Sequence, residues 1–270
     1  MKKKSKSKNN QTGQVISDGE RKIEVQTRNY EKQQNTAQKP FRDKIKAERQ
    51  SKEINSRKLY TPEEKKNPII QKFINSVEEF LLRELYIPDG SELLIAVSGG
   101  VDSCVLLDII ANISVNHKYI LNVAHYNHGL RGSDSDSDEN FVGKIAAEYN
   151  IPFHHSKGKV KQYAKKNALC IEHAARVLRY IFLERTSGML KAEYVATAHT
   201  ADDLAETFFI NLFRGSGLTG LAAIPSKRLM SKTVKLIRPL IKMKKKDIIE
   251  YAKLRNLKWR EDYTNAMVNF

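Results

Sequence analysis

The sequence has few cysteines and no long apolar segment, and both absences narrow the class of protein. Cys104 and Cys170 are its only cysteines, too few for a disulfide framework and too far apart for a zinc-binding spacing. No apolar run approaches the roughly 18 residues that span a bilayer, and no apolar signal region follows the basic start. We therefore expect no membrane partner and a reducing, cytoplasmic location, with an organellar matrix or stroma as the alternative.

Acidic residues are also in deficit. The chain has 47 Lys and Arg against 31 Asp and Glu, a net charge of +16, which favours a polyanionic partner. Residues 1–70 hold 19 of those cations and 9 of the acids, a net charge of +10, with few apolar positions. Such a segment buries too little apolar surface to offset its ordering entropy. We predict a disordered basic tail over 1–66, with a polar helix over 41–57, that is either an RNA-binding arm or a solubility extension.

One short segment is the most informative in the chain. The apolar run 92–97 predicts a buried strand, and an apolar periodic segment to residue 113 predicts a helix. Between them lies Ser-Gly-Gly-Val-Asp-Ser at 98–103, which matches no Walker pattern because no Gly-Lys-Ser or Gly-Lys-Thr follows. A helix N-terminus binds anions, and Gly99 and Gly100 let a phosphate approach closely. The alternative is an ordinary turn with Ser103 as the helix N-cap.

Strand and helix patterns alternate through the globular part, which begins near residue 67. Strands are predicted at 92–97, 119–126, 153–156 and 194–197, with helices over 70–81, 134–149, 171–190 and 202–213. This order predicts an α/β fold, a doubly wound parallel sheet of about five strands with helices on both faces. Ligands of such sheets bind at the carboxyl ends of the strands. We predict a catalytic domain over 67–230 and a helical, basic extension over 231–270.

Charged residues follow the other predicted strands or lie on the helices between them. His125 and Arg131 follow the second strand, where Arg131 is a candidate anion ligand. The acids after the fourth strand are suited to hold Mg²⁺ or an ammonium ion, or to cap a helix. The arginines on the helix over 171–190 and just after the helix over 202–213 are candidate ligands of phosphate or RNA. The alternative is that they simply lie on solvent-exposed helix faces. The acids are Asp202, Asp203 and Glu206, and the arginines are Arg176, Arg179 and Arg214.

Taken in this order, the motifs resemble the tRNA(Ile)-lysidine synthetase family, part of the N-type ATP pyrophosphatase (PP-loop) superfamily with an adenine nucleotide alpha hydrolase-like fold. The resemblance covers about residues 73–265. It implies an enzyme that ligates L-lysine to carbon 2 of the wobble cytidine of tRNA(Ile) with a CAU anticodon. ATP first adenylates the C2 oxygen and releases pyrophosphate, and the lysine amine then displaces AMP. The modified base pairs with A, which changes the charging identity from Met to Ile.

The resemblance also implies roles for the candidate residues. ATP is bound by residues 98–103 together with His125 and Arg131, and Mg²⁺ by Asp102 and Asp202. The acidic residues of the site hold the metal and the lysine ammonium and form the catalytic set, while the arginines contact phosphate or RNA. The loop residues are Ser98, Gly99, Gly100, Val101, Asp102 and Ser103, and the catalytic set is Asp102, Asp202, Asp203 and Glu206.

The sequence departs from the family at some positions. Tyr263 stands where the family usually has proline, and Ala198-His199-Thr200 replaces a common Gly-His-His. The chain stops at Phe270, whereas family members continue into further tRNA-binding domains. The alternatives are a PP-loop tRNA thiolase, against which the lack of Cys-x-x-Cys counts, and a non-catalytic RNA-binding remnant. A homodimer is left open.

Overall fold

The structure, a computed structural model, describes residues 59–215, 217 and 224–261. A six-stranded sheet lies at its centre, with the strand order β3-β2-β1-β4-β6-β5. The first five strands in that order run parallel, and β5 pairs with β6 antiparallel at the edge. The strands are β1 Glu92–Ala96, β2 Ile120–Asn127, β3 Phe153–Lys157, β4 Tyr194–Ala196, β5 Lys227–Leu229 and β6 Lys235–Ile237.

Helices lie on both faces of the sheet, as predicted. They are α1 Pro62–Lys66, α2 Pro68–Arg83, α3 Val101–His117, α4 Ser133–Glu148, α5 Val160–Lys166, α6 Ile171–Leu190, α7 Ala201–Phe213 and α8 Lys245–Leu254. Leu93 and Ile95 of β1 pack into the core cluster with α2, α3, α4 and α8. Leu94 points to the opposite face because strand side chains alternate. On that side α6 contacts β1, β2 and β4.

Helix α2 shows how local sequence sets an element. The Asn67 side chain caps it by accepting the backbone N–H groups of Ile69 and Ile70, and Pro68 occupies the first turn, where its missing N–H costs nothing. Its buried face consists of the residues predicted from the helical spacing. They are Ile70, Phe73, Ile74, Val77, Phe80 and Leu81.

The segment after residue 224 adds to the sheet itself. Residues 231–270 were predicted to form a helical extension, and the sequence analysis identified no strand among them. In the structure β6 pairs with β4 in parallel, from Tyr194 opposite Lys235 to Ala196 opposite Ile237. Helix α8, which agrees with the helical part of the predicted extension, packs against α2 and α3. Residues 231–261 therefore complete the described fold.

A buried ionic network joins distant parts of the chain around Asp108. Its carboxylate is fully buried and accepts hydrogen bonds from the Tyr149 and Tyr251 hydroxyls, each at 2.5 Å. Arg255 donates to it from Nη2 at 2.8 Å and pairs with Glu64 at 2.5 Å. Since buried charge is costly unless it is paired, this network fixes α1, α3, α4 and α8 relative to one another.

Several predictions concern residues outside the described ranges. They include the part of the disordered tail before residue 59, the polar helix over 41–57, and the parts of the extension beyond 261. The rest of the tail, which was predicted to run to residue 66, is described, and the prediction is wrong for residues 62–66, which form α1 with a capping box between Thr61 and Glu64. Among the described residues, no helix is both long enough and apolar enough to cross a membrane.

Candidate active site

The Ser-Gly-Gly turn connects β1 to α3, as predicted. Gly99 has a φ of +102°, a backbone conformation that side-chain-bearing residues rarely adopt. Gly100 is the N-cap of α3 and makes no side-chain capping hydrogen bond. The alternative in which Ser103 caps the helix is therefore wrong, because Ser103 lies within the first turn. Glycine therefore occupies position 99, where the backbone adopts a positive φ just before the N-terminus of α3.

The Ser103 hydroxyl organises this turn from inside the helix. It accepts the backbone N–H groups of Ser98 at 3.2 Å and Gly99 at 3.1 Å, and it donates to the Gly100 carbonyl at 2.9 Å. Ser103 is buried, whereas Ser98 is exposed. The Ser98 hydroxyl lies 3.1 Å from the Ser103 hydroxyl, so the loop is held in shape before a ligand arrives.

Asp102 and Asp202, the two predicted metal ligands, meet the same residue. Both carboxylate oxygens of Asp102 accept from the Lys245 ammonium, at 2.6 and 2.5 Å. Asp202 accepts the backbone N–H of Lys245 at 2.7 Å and so caps the start of α8. The structure therefore brings the carboxyl ends of β1 and β4 together through the first residue of α8.

The remaining acids of the predicted cluster have separate surroundings. Asp203 completes a capping box with Thr200, accepting its backbone N–H at 2.7 Å and its hydroxyl at 3.0 Å, so the capping interpretation is confirmed for this residue. Glu206 is exposed one turn further along α7. Across residues 59–215, 217 and 224–261, no group of three or more His, Cys, Asp or Glu is placed to hold a metal ion.

A cavity of about 1330 Å³ opens beside the loop. Four of the predicted site residues line it: Ser98, Gly100, His125 and Arg131. The other walls come from the loop after β2, the first half of α4, the start of α6 and residues 257–261. Among these further lining residues are Asn127, His128, Asp134, Asp138, Phe141, Glu172, Trp259 and Arg260.

His125 and Arg131 are held by different partners in this cavity. Nδ1 of the buried His125 ring lies 2.8 Å from the Val97 carbonyl, to which it donates. Burial lowers the pKa of His125, so the ring is neutral near pH 7. Arg131 donates to Asp138 at 2.9 Å and is half-exposed, so its guanidinium remains accessible to a ligand.

The segment after α8 forms a wall that sequence reasoning did not assign. The backbone N–H of Arg260 donates to the Gly99 carbonyl at 2.9 Å, and its Nε donates to Asp138 at 3.0 Å. Trp259 lies beside it in the cavity wall. Nothing local to Trp259 and Arg260 in the sequence indicates contact with a glycine more than a hundred residues earlier.

The predicted arginines Arg176 and Arg179 belong to a larger cationic cluster. Both guanidinium carbons lie 5.7 Å from the centre of the Tyr180 ring, and that of Arg228, on β5, lies 5.1 Å from it. Arg238, just after β6, is buried and its Nε has no hydrogen-bond partner among the described residues. The structure therefore adds Arg228 and Arg238, while Arg214, exposed at the end of α7, belongs to no contact in this cluster that the structure defines.

Burial, reinforced by this cluster, lowers the pKa of two neighbouring histidines. Burial, followed by the charges of Arg238 and other nearby groups, lowers the pKa of His199 to about 4. Burial and Arg179 likewise lower the pKa of His128, which lines the cavity, to about 4. The arginines around Tyr180 concentrate positive charge in one patch, which is suitable for binding phosphate groups.

Comparison with known proteins identifies the class. Residues 66–270 match the family model of the PP-loop domain, and the chain belongs to this family.

Relatives within the family carry one name. The chain is 35% identical over 204 residues to a tRNA(Ile)-lysidine synthase of Chlorobaculum tepidum, covering 76% of this chain and 59% of that protein. It is 40% identical over 182 residues to a tRNA(Ile)-lysidine synthase of Geobacter sulfurreducens, covering 67% of this chain and 38% of that protein. The resemblance found in the sequence motifs is confirmed, and the chain spans only part of the length of these relatives.

A solved structure shares the fold. The U34-tRNA thiolase NcsA from Methanococcus maripaludis superposes with a TM-score of 0.60 at 24% identity, covering 73% of this chain and 67% of that one. At that identity the likeness supports the architecture of the sheet and helices and nothing about the reaction.

Proposed function

We propose that this protein uses ATP to attach L-lysine to carbon 2 of the wobble cytidine in tRNA(Ile) with a CAU anticodon. The observation that carries the proposal is the pre-shaped Ser-Gly-Gly loop at the edge of a large cavity, in a chain similar to tRNA(Ile)-lysidine synthases. The reaction takes two steps, adenylation of the C2 oxygen with loss of pyrophosphate and then displacement of AMP by the lysine amine.

The loop is suited to bind the phosphates of ATP. The N-terminus of α3 supplies unpaired N–H groups and the positive end of a 17-residue helix. The exposed Ser98 hydroxyl adds a donor, and Gly99 and Gly100 leave room for close approach. Binding the departing pyrophosphate here stabilises the charge that builds up as the bond to the α-phosphorus breaks.

The proposed site also fits Mg²⁺. Both oxygens of the Asp102 carboxylate already hold a cation, the Lys245 ammonium, and Asp202 accepts the backbone N–H of the same residue. Mg²⁺ prefers one or two carboxylates together with substrate phosphates, which is the donor set available here. When bound, the ion would neutralise negative charge on the phosphates. We assign Asp102 and Asp202 as its protein ligands.

Lysine requires an acid that can receive its ammonium group. Asp203 is engaged by Thr200, whereas Glu206 on the same helix is exposed. We therefore assign Glu206 to the lysine ammonium and keep Asp203 as the residue that fixes the start of α7. The lysine amine must lose a proton before it attacks carbon 2, and a carboxylate beside it is suited to accept that proton.

The arginine cluster provides a contact for tRNA or nucleotide phosphates. Arg176 is exposed, and Arg228 and Arg179 stand beside it around Tyr180. Guanidinium groups bind phosphate in a bidentate manner, and Tyr180 offers a ring on which a base can stack. We assign Arg176, Arg179 and Arg228 to this contact, with Arg214 and the basic residues before 59 as further contributors.

A matched pair of variants tests the proposal. Full-length protein is incubated with unmodified tRNA(Ile), ATP and lysine, and lysine-dependent release of pyrophosphate is measured. Asp102→Asn should abolish release while leaving the fold intact. Asp89→Asn, which removes an exposed carboxylate at the opposite end of β1, should release pyrophosphate at the wild-type rate. Full activity in folded Asp102→Asn would refute the proposal, and ATP binding without release in wild type would favour the non-catalytic remnant.

The thiolase alternative is disfavoured by the two cysteines. Cys104 is buried, its thiol donates to the Gly99 carbonyl, and burial raises its pKa to about 12, so it is not a nucleophile near neutral pH. Cys170 is exposed at the N-cap of α6 and far from Cys104 in sequence. The double variant Cys104→Ser, Cys170→Ser should remain active. Loss of activity with retained fold and ATP binding would favour thiolation.

A further inference from the structure

Lys245 contacts both predicted metal ligands, although the sequence analysis assigned it no role. It lies in a run of lysines between residues 242 and 246 and begins α8. Its ammonium contacts both oxygens of Asp102, while its backbone N–H is bound by Asp202. The two interactions are separable, because one uses the side chain and the other uses only the main chain.

The ion pair is accessible to a ligand. The side chains of Lys245 and Asp102 are 40% and 28% exposed, so the pair is not sealed inside the core. An ion pair of this exposure contributes little to folding stability. The surrounding structure is held by other contacts: the Ala201 N–H donates to the Met243 carbonyl at 2.9 Å, and Asp202 caps α8. The ion pair between Lys245 and Asp102 is therefore not needed to hold the start of α8 against the start of α7.

The ammonium also lies where phosphates are proposed to bind. Asp102 is the second residue of α3, directly after the Gly100 N-cap and Val101, so a cation on its carboxylate stands at the mouth of the Ser-Gly-Gly loop. The lysine side chain is a flexible four-carbon stem that can redirect its charge without moving the main chain. Lys245 can thus keep its backbone bond to Asp202 while its ammonium changes partner.

We propose that Lys245 is a phosphate-binding residue whose ammonium holds Asp102 in the nucleotide-free protein and transfers to phosphate oxygens when ATP binds. The inference rests on the proposed nucleotide site. The exchange forms and breaks only ion pairs and hydrogen bonds. It leaves the Asp102 carboxylate available to a divalent cation at the moment when phosphate arrives, so the ammonium and the metal ion do not compete for one acid.

The proposal predicts opposite effects of one substitution on two ligands. In Lys245→Gln, pyrophosphate affinity should fall about tenfold, the loss expected for one charge-assisted hydrogen bond. Affinity for Mn²⁺ alone should rise about two- to fivefold, because a partly exposed competitor has been removed. Lys245→Arg should retain most of the pyrophosphate affinity. Lys246→Gln, one position along and exposed, is the matched control and should change neither.

Both affinities are measured on the full chain, pyrophosphate by calorimetry and Mn²⁺ by electron paramagnetic resonance. Asp102→Asn should abolish the Mn²⁺ gain if that gain arises at Asp102. A merely structural Lys245 would weaken both ligands together or neither, and either result overturns the inference. If wild-type protein binds neither ATP nor pyrophosphate, the proposed function fails as well. If wild type binds both and Lys245→Gln behaves like wild type, only the inference fails.

Discussion

Removing Arg255 should show how much the buried network around Asp108 contributes to the free energy of unfolding and to the position of residues 257–261 in the cavity wall. Arg255 is 3% exposed and Asp108 is fully buried, so Arg255→Met leaves a carboxylate without its cation. Breaking a buried pair in this way costs about 3–5 kcal/mol. The Tyr149 and Tyr251 hydroxyls still donate to Asp108, so we expect the lower end of this range.

Urea denaturation of the full chain, followed by Trp259 fluorescence, measures this loss, since Trp259 is the only tryptophan. The melting temperature should fall by about 2–4 °C for each kcal/mol. The double variant Asp108→Asn, Arg255→Met should be less destabilised than the sum of the single variants, because no uncompensated charge remains.

The matched control is Lys242→Met, which removes an ion pair to Glu84 whose side chains are 54% and 52% exposed. It should cost less than about 1 kcal/mol. A cost below about 1 kcal/mol for Arg255→Met, or strict additivity in the double variant, would refute the reasoning. Residues 257–261 follow Arg255 closely, so ATP affinity should also decline in Arg255→Met and stay unchanged in Lys242→Met.

Further predictions concern a histidine, a glycine and the basic segment. Burial lowers the pKa of His117, but its hydrogen bonds to Asp89 and Glu78 outweigh this and raise it above the ordinary 6.5. The contribution of His117 to the free energy of unfolding is therefore full below pH 6.5 and declines as pH rises through the raised pKa. Unfolding curves of His117→Asn recorded over a pH series should lack this pH dependence. Gly99 and Gly90 have φ of +102° and +77°, so Gly99→Ala and Gly90→Ala should each lower the free energy of unfolding by about 1–3 kcal/mol. Only Gly99→Ala should also weaken ATP binding measured by calorimetry. Equal ATP affinity in the two variants would contradict the loop assignment. Deleting residues 1–58 should flatten the slope of log K for tRNA against log salt by about 0.7–0.9 for each phosphate that the segment neutralises, and an unchanged slope would favour the solubility extension.

The elements that sequence analysis placed well have a strong local signal. The apolar run over residues 93–97, followed at once by Ser-Gly-Gly, is a strong signal for a buried strand that leads into a helix. Long periodic helices such as α2 and α6 were equally clear. Strands β5 and β6 were missed because Lys227, Arg228 and Lys235 conceal the apolar pattern, whereas β4, which also has three residues, contains no charged residue.

Interactions across long sequence separations explain the rest. Asp108 is a single acid within an apolar helix pattern, and its partner Arg255 lies 147 residues later, so nothing local marks either as half of a buried pair. Asp102 was identified from its motif, but nothing local indicates that it pairs with Lys245, 143 residues later. The motifs indicated which residues carry charge toward the carboxyl edge of the sheet, and only the folded chain shows which charges meet.

Transfer of lysine to tRNA tests the central claim most directly. Full-length protein is incubated with unmodified tRNA(Ile) bearing the CAU anticodon, ATP and isotopically labelled lysine, and the nucleosides of the digested tRNA are analysed by mass spectrometry. The account predicts that label appears in a modified cytidine at the wobble position, only when ATP is present, and that it is absent with Asp102→Asn. Unlabelled wobble cytidine from a folded protein that binds both ATP and this tRNA would contradict it.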